Sequence, residues 1–503
     1  MKKRNLSALI SVYSKDNLNP ILEEFKKNKI DIFSTGGTYE YIKKQGFKVT
    51  AIETLTKYPS ILNGRVKSLH PKIFGGILAV KNKKTDKEDV EKYKIPLFDF
   101  VIVDLYPFKE TIANTKDESK IIEKIDIGGI SLIRAAAKNY KHITVVSSKE
   151  DYNQFYSLLK HNKGIFSIKE KKLFATKAFK KSLYYDSCIY NYFENNKEKQ
   201  HFYIDQKTEL RYGENPHQEA HFYGDLNTIL TQLHGKKISY NNLLDIDAAL
   251  NLINDFKETT FAVLKHNNPC GVSTNPKLKT AWKKALAGDP VSAFGGVVIT
   301  NSKINFETAK EIDKLFIEVL VAKDFDKEAI KVLRSKKNRI ILKLKTNKLP
   351  KKQFKTILNG VIEQNKDLSN EYSKMKVVTK KNINKNKIDD LIFANKICKH
   401  SKSNAITIVK NKQLIGSGVG QASRIDALKQ AINKAQSFGF NLKGSVMSSD
   451  AFFPFPDCVK IANKYNIKSI IQPGGSIRDQ DSIDLCDKNN MSMIFTKKRH
   501  FKH

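Results

Sequence analysis

The chain has 503 residues, more than one hydrophobic core usually organises, so two to four domains are expected. Its 89 Lys and Arg against 52 Asp and Glu give a formal charge of +37. The lysines are nevertheless scattered among asparagines, with no RNA-binding signature or basic heptad region, so the excess reads as solvated lysine-rich faces and argues against a nucleic-acid groove.

Five widely spaced cysteines with no CxxC pair argue against a disulfide framework or zinc site and for a reducing compartment. The apolar run in MKKRNLSALISVYS is too short for a signal peptide, and no run approaches the ~18 residues of a membrane span. A soluble, cytoplasmic protein is expected. Only nine basic residues are Arg, and Arg65, Arg134, Arg211, Arg424, Arg478 and Arg499 lie in or beside Gly-, Pro- or His-containing segments. Guanidinium forks grip phosphate or carboxylate, so each is a candidate anion contact or a structural ion pair.

From the N-terminus, SALISV, NPILEEFKKN, IDIFS, TYEYIKKQG, KVTAIE, DFVIVDLY and HITVV alternate strand-like and helix-like patterns. That rhythm predicts a parallel sheet with helices on both faces. Residues 167–193 predict a long amphipathic helix closing the unit, and ENNKEKQHF (194–202) a linker. From LRYGENPHQ (210–218) onward, motif-rich loops separate apolar strands such as TFAVLK, GGVVIT and SIIQP. Lysine-rich breaks at 343–352 and 379–388 divide this part into two subdomains.

In STGGT (34–38) the glycines follow a strand and open a helix, a geometry that serves either a plain turn or an anion at the positive helix end. NGRVKSLHPK (63–72) gathers Arg65, Lys67, Ser68 and His70 into one loop that could grip the same phosphate. DLYPF (104–108) and IDIGGISLIRAAAKN (125–139) complete the loops expected at the carboxyl ends of the strands, where open α/β sheets bind ligands. Further on, VLKHNNPCGVS (263–273) sets Lys265 beside His266, either a cation next to a base or a strand end with a satisfied histidine.

Together these stretches resemble the bifunctional AICAR transformylase/IMP cyclohydrolase family. The resemblance runs through LRYGENPHQ, LKHNNPCGV, DPVSAFGGVV, SNAITIVKNKQLIGSGVGQASR, SSDAFFPFPD and IQPGGSIRD to the terminal RHFKH. It implies a methylglyoxal-synthase-like cyclohydrolase domain at 1–195. A transformylase domain of two cytidine-deaminase-like α/β subdomains follows at 196–503, with its break near 343–390. The reactions implied are formyl transfer from 10-formyltetrahydrofolate to the 5-amino group of AICAR, then closure of formyl-AICAR to IMP. The resemblance implies a homodimer whose transformylase sites form across the interface, and no essential metal, membrane or nucleic-acid partner. A zinc deaminase is excluded because the PCxxC ligand pattern is missing.

For transfer, the resemblance makes His266 the base and Lys265 the stabilising cation. It places the AICAR nucleotide against Arg211, Tyr212, Gly295, Glu318, Asn404, Arg424, Phe452 and Arg499, with Ile425 and Asp457 on the folate side. Composition alone reads the AFFPFPD run as a buried apolar turn. For ring closure the resemblance makes Lys138 the proton-transfer residue, with Lys67, Tyr106 and Asp126 nearby. It places the nucleotide against Tyr13, Ser14, Lys15, Thr35, Gly36, Gly37, Thr38, Arg65, Val66, Ser68, Val103, Asp104 and Ile127. The first loop reads SVYSK where the family usually has SVSDK.

Overall fold

The computed structural model describes residues 5–59, 61, 62, 66–194, 207–346, 348–370 and 372–503. The expected linker, beyond Glu194, and Arg65 lie outside the described residues. The chain divides into two compact units, Met1–Asp205 and Gln206–His503.

In the first unit, β1 (Ser7–Ser11), β2 (Asp31–Ser34), β3 (Thr50–Ala51), β4 (Phe100–Val103) and β5 (Thr144–Val146) form a parallel sheet in the order β3-β2-β1-β4-β5. The strands read as continuous apolar runs because helices cover both faces. Leu9, Val101 and Val103 enter one core and Ala8, Ile10, Phe100 and Ile102 the other, the period-two alternation of a pleated strand. KVTAIE pairs for only two residues before turning into helix Ile52–Thr56. The long helix runs from Ile168 to Phe193, and the Ser167 side chain with Glu170 forms a capping box at its start.

The second unit opens with a small hairpin, β6 (Lys207–Glu209) and β7 (His221–Tyr223). A six-stranded mixed sheet follows: β8 (Leu230–His234), β9 (Thr260–Lys265), β10 (Asn268–Thr274), β11 (Val297–Ile304), β12 (Val319–Phe325) and β13 (Ile340–Leu344), in the order β10-β9-β11-β12-β13-β8. An exposed hairpin, β14 (Lys352–Ile357) and β15 (Gly360–Asn365), leads to a second sheet. That sheet holds β16 (Lys376–Val377), β17 (Ile406–Val409), β18 (Leu414–Gly418), β19 (Val446–Ser449), β20 (Ser469–Gln472) and β21 (Ser492–Phe495), in the order β16-β21-β20-β19-β17-β18.

The two sheets repeat one topology. Each starts from an edge strand and a helix (Tyr240–Ile253 or Lys385–Lys399), makes a hairpin, then runs three parallel strands linked by helices. The repeat has no short sequence period because topology and apolar pattern, rather than residue identity, are duplicated. A single core joins the halves: Ile246, Leu250 and Ile253 of one central helix and Leu391, Ala394 and Ile397 of the other share it with both sheets. The remaining helices cover the two outer faces.

Candidate active sites

In the first unit the expected loops converge at the carboxyl ends of the strands. Just beyond β4, the Asp104 carboxylate accepts the backbone amides of Tyr13 and, at 3.0 Å, Ser14. The loop after β1 is closed again by Lys15, whose Nζ donates to the Val12 carbonyl at 2.7 Å, and by Thr38, whose hydroxyl donates to the same carbonyl at 2.9 Å. This loop is therefore firmly built despite its departure from the family pattern. Thr35 is buried and its hydroxyl donates to Glu53 at 2.6 Å. Gly36 has φ +53°, and a Cβ there would meet the Lys67 ammonium at 2.9 Å. Gly37 faces open space.

The remaining loops close the cluster. Val66 accepts the amide of Leu69 in a tight turn, and the Ser68 hydroxyl lies 2.9 Å from the Cβ position of Gly128. Asp126 accepts the Gly129 amide at 2.6 Å, while its own amide donates to the Tyr185 hydroxyl at 2.7 Å. The Tyr13 and Tyr106 rings meet edge to face at 5.4 Å.

The charges confirm one shared environment. Burial pushes the Asp126 carboxyl up, the Gly129 amide and Lys67 pull it down, and the Asp104 charge raises it further. Burial also raises Asp104, against the amides of Tyr13 and Ser14. The Tyr106 phenol is raised by burial and by the Asp126 charge. Lys15 is lowered by burial, with Asp104 opposing and Lys67 adding to the effect. Burial thus shifts the carboxyls up and the lysine down, toward one another, and titratable groups perturbed in this way suit proton transfer.

Two expected residues stand apart from this cluster. Val103 is a core side chain, 1% exposed, so only its backbone can face the site. Lys138 ends the helix that Gly128 begins and is exposed. Ten residues at ~1.5 Å rise put it about 15 Å along the helix from the Asp126 end. Ile127 caps the near end and is exposed. Tyr185 and Glu53 were not anticipated, because a tyrosine in a long amphipathic helix and a glutamate at a strand end carry no signal of a distant loop.

In the second unit, β9 and β10 are joined by a two-residue turn in which His266 (φ 51°) and Asn267 (φ 64°) are both left-handed. That is the primed turn favoured by strand twist, usually built from Asn or Gly, and histidine is an uncommon occupant. It presents an exposed His266 beside Lys265, whose Nζ donates to the Phe294 carbonyl at 2.9 Å. Gly295 (φ +65°) accommodates that lysine, since a Cβ there would stand 3.2 Å from Nζ.

Nearby, Glu318 pairs with Lys236 at 2.6 Å and stands 3.8 Å from Arg211. Arg211 donates to the Tyr212 hydroxyl at 2.7 Å and lies over that ring. Asp245, from the helix before β9, accepts the Asn267 amide at 2.6 Å. These groups gather at the amino ends of β11 and β12. Lys236 and Asp245 were missed by sequence reasoning: each sits in an ordinary polar context, and the fold alone brings it to the turn.

The other transfer candidates gather at the carboxyl ends of the second sheet. Asn404 donates from Nδ2 to the carbonyls of Gln421 and Ala422 at 2.9 and 3.0 Å. Arg424 begins the helix Arg424–Ser437, 3.7 Å from the fully buried Asp450 carboxylate. Arg424 and Arg499 both lie over the Phe501 ring, at 5.7 and 4.3 Å. Phe452 is partly buried beside a fully buried Phe453, Ile425 packs on the core, and Asp457 begins the next helix. Burial first, then the Asp457 charge, raises the thiol of Cys458, with Arg424 opposing.

The two groups meet at the turn. The Lys402 amide donates to the Asn268 side chain at 2.9 Å, and Lys502 Nζ donates to the His400 carbonyl at 2.8 Å and to the Asn267 carbonyl at 3.5 Å. Among the described residues no group of three or more His, Cys, Asp or Glu is placed to hold a metal, and no helix is long and apolar enough to cross a membrane.

Compared with known proteins, the chain matches the AICARFT/IMPCHase bienzyme family over residues 136–434 and the MGS-like domain family over 17–131. It is 53% identical over 503 residues to the bifunctional purine biosynthesis protein PurH of Bacteroides thetaiotaomicron, covering 100% of this chain and 99% of that protein. Its identity to the protein of the same description from Caldicellulosiruptor bescii is 43% over 520 residues, covering 99% and 100%. Among solved structures it is similar to the crystal structure of ForH, at 30% identity and a TM-score of 0.34, over 37% of this chain and 98% of that chain.

Proposed function

The chain belongs to the AICARFT/IMPCHase bienzyme family, and is a bifunctional enzyme of purine biosynthesis with formyltransferase and IMP cyclohydrolase activities; from that premise we propose which residues carry each reaction. Cyclohydrolase is assigned to residues 1–195 and transfer to 196–503, a division about ten residues before the boundary between the two compact units. The observation that carries the assignment is the left-handed turn presenting His266 next to a Lys265 held against Gly295.

In transfer, the 5-amino group of AICAR attacks the formyl carbon of 10-formyltetrahydrofolate. The amine is conjugated with the imidazole ring and is a weak nucleophile. His266 takes its proton as the new N–C bond forms, and Lys265 stabilises charge on the formyl oxygen. The bond from the formyl carbon to the folate nitrogen then breaks, and the proton passes to that nitrogen. Arg211, Tyr212, Gly295, Glu318, Asn404, Arg424, Phe452 and Arg499 hold the nucleotide. The folate co-substrate supplies the formyl group, and Ile425 and Asp457 are the residues on its side.

In ring closure, the carboxamide nitrogen of formyl-AICAR attacks its own formyl carbon and water leaves. Both reacting groups belong to one molecule, so selecting the reactive conformer and moving protons suffices. Lys67, Tyr106 and Asp126 supply the proton transfers. The Thr35–Thr38 turn, Arg65, Val66, Ser68, Lys15 and the Tyr13–Ser14 and Asp126–Ile127 backbones receive the nucleotide. The protein acts in the cytoplasm as a homodimer on small molecules. The test is to supply AICAR and 10-formyltetrahydrofolate and follow tetrahydrofolate and IMP separately. Tetrahydrofolate without IMP would remove the cyclohydrolase assignment, and neither product would remove both.

A further inference from the structure

The turn that carries His266 is fastened from below. Two successive residues with a Cβ occupy the left-handed region there, a conformation that an isolated His-Asn pair does not hold. His266 is exposed, so the backbone of the turn, and not packing around the ring, sets where its Cα–Cβ bond points. Asp245, on the second turn of the helix Tyr240–Ile253, accepts the Asn267 amide at 2.6 Å. Asn268 Nδ2 donates to the His266 carbonyl at 3.1 Å.

The repeated architecture makes the arrangement informative. Asp390 is the sixth residue of the helix Lys385–Lys399, just as Asp245 is the sixth of Tyr240–Ile253. Asp390 accepts the amides of Asn411 and Lys412 at 3.0 and 2.8 Å, and those two residues form the left-handed turn between β17 and β18. A helix carboxylate that latches the following hairpin is thus a device of the repeated fold. Only in the first half does the latched turn carry a histidine beside a lysine.

We propose that Asp245 is a positioning residue of formyl transfer, holding His266 in its working direction through the Asn267 amide. The proposal rests on His266 being the base. The surroundings agree with it: burial raises the Asp245 carboxyl, while the Asn267 amide, His266 and Lys265 pull it down and Glu318 pushes it up. The carboxylate therefore lies within electrostatic reach of both reacting side chains as well as bonded to the turn.

The test compares Asp245→Ala, Asp245→Asn, Asp390→Asn and His266→Ala in the full chain. Misdirecting a catalytic group by ~1 Å can cost on the order of 10²-fold, so Asp245→Ala should lower kcat for transfer about 10- to 100-fold with the AICAR KM within about twofold. Asp245→Asn, whose amide oxygen can still accept the Asn267 N–H, should recover most of the rate. Asp390→Asn should lower thermal stability and leave transfer kinetics near wild type. Hydrogen exchange in the peptide spanning the turn should quicken in Asp245→Ala alone. If that variant does not fold, Asp245→Ser, polar but too short to reach the amide, takes its place. Wild-type kcat in Asp245→Ala alongside an inactive His266→Ala would overturn the positioning role alone, as would equal impairment of the Ala and Asn variants. Wild-type transfer in His266→Ala would instead overturn the assignment of the base, and with it this role.

Discussion

The Lys67 ammonium lies 2.9 Å from where a side chain on Gly36 would begin, so the glycine of one loop makes room for the cation of another. Gly36→Ala would need a left-handed alanine, costing about 1–2 kcal/mol, and would displace Lys67. Cyclohydrolase kcat/KM on supplied formyl-AICAR should fall roughly tenfold, since each 1.36 kcal/mol is a factor of ten in rate. Formyl transfer should be unchanged, and a parallel loss of both activities would tie Gly36 to overall folding instead.

Lys138 stands at the far end of its helix from Asp126, about 15 Å along the axis. In a homodimer it would serve ring closure from the second copy. Lys138→Ala and Lys67→Ala proteins, each deficient alone, should then complement when mixed and allowed to exchange subunits. Random reassortment of a two-fold dimer would give about a quarter of wild-type activity. Absence of any recovery would remove Lys138 from the chemistry of ring closure or show that it acts in cis after a rearrangement.

Arg499 belongs to a C-terminal segment that is tied down rather than frayed. The Thr496 and Lys497 amides bond the carbonyls of Gln472 and Pro473, and the His500 amide bonds Asp450. A charge-assisted fork to phosphate is worth about 1.5–3 kcal/mol, so Arg499→Ala should raise the AICAR KM roughly ten- to a hundredfold. Arg499→Lys should recover only part, and folate affinity and cyclohydrolase should change little. Steady-state titration of AICAR decides it. An unchanged KM in the alanine variant would leave Arg499 as a partner of Phe501 only.

Asp255 is buried between Lys399 (2.7 Å) and His400 (2.8 Å). Burial alone would raise its carboxyl, but the bond to His400 and the charges of His400 and Lys399 reverse this and hold it at about 2. A carboxyl depressed in the folded state stabilises above its unfolded value, here the usual 3.8, and that stability is lost as pH falls from about 4 to about 2. Burial lowers the His400 imidazole and leaves Lys399 as the cation at neutral pH, so Asp255→Asn should cost about 3–5 kcal/mol there by leaving the buried Lys399 ammonium unmatched. It should also flatten the acid limb of the unfolding curve in that window, and an unaltered acid limb would show that other carboxylates govern it.

The first sheet was legible because its strands are unbroken apolar runs and its helices carry a 3.6-residue pattern. KVTAIE looked like another such strand, but only two residues find a partner before the helix begins. In the second unit TFAVLK and GGVVIT were legible as strands, whereas the duplication was not: it resides in strand order and hairpin placement, which leave no periodic residues. The site divided in the same way. Glycines, arginines and the Lys-His pair stand out against a lysine-rich background, while Asp245, Lys236 and Tyr185 acquire meaning only when distant segments meet. Lys138 is the converse case, conspicuous by its motif and remote by the length of one helix.

The shared core of the second unit makes each half the missing wall of the other. Cutting the chain at the exposed β14–β15 hairpin would sever no core packing, yet either fragment alone would bare the apolar side of its central helix, Tyr240–Ile253 or Lys385–Lys399. Such fragments should be sticky and incompetent singly, and should reassemble when co-expressed, because the information that pairs them is the buried surface rather than the connecting peptide. The duplicated half is thus not a spare that deletion could remove: the architecture behaves as one cooperative body written twice.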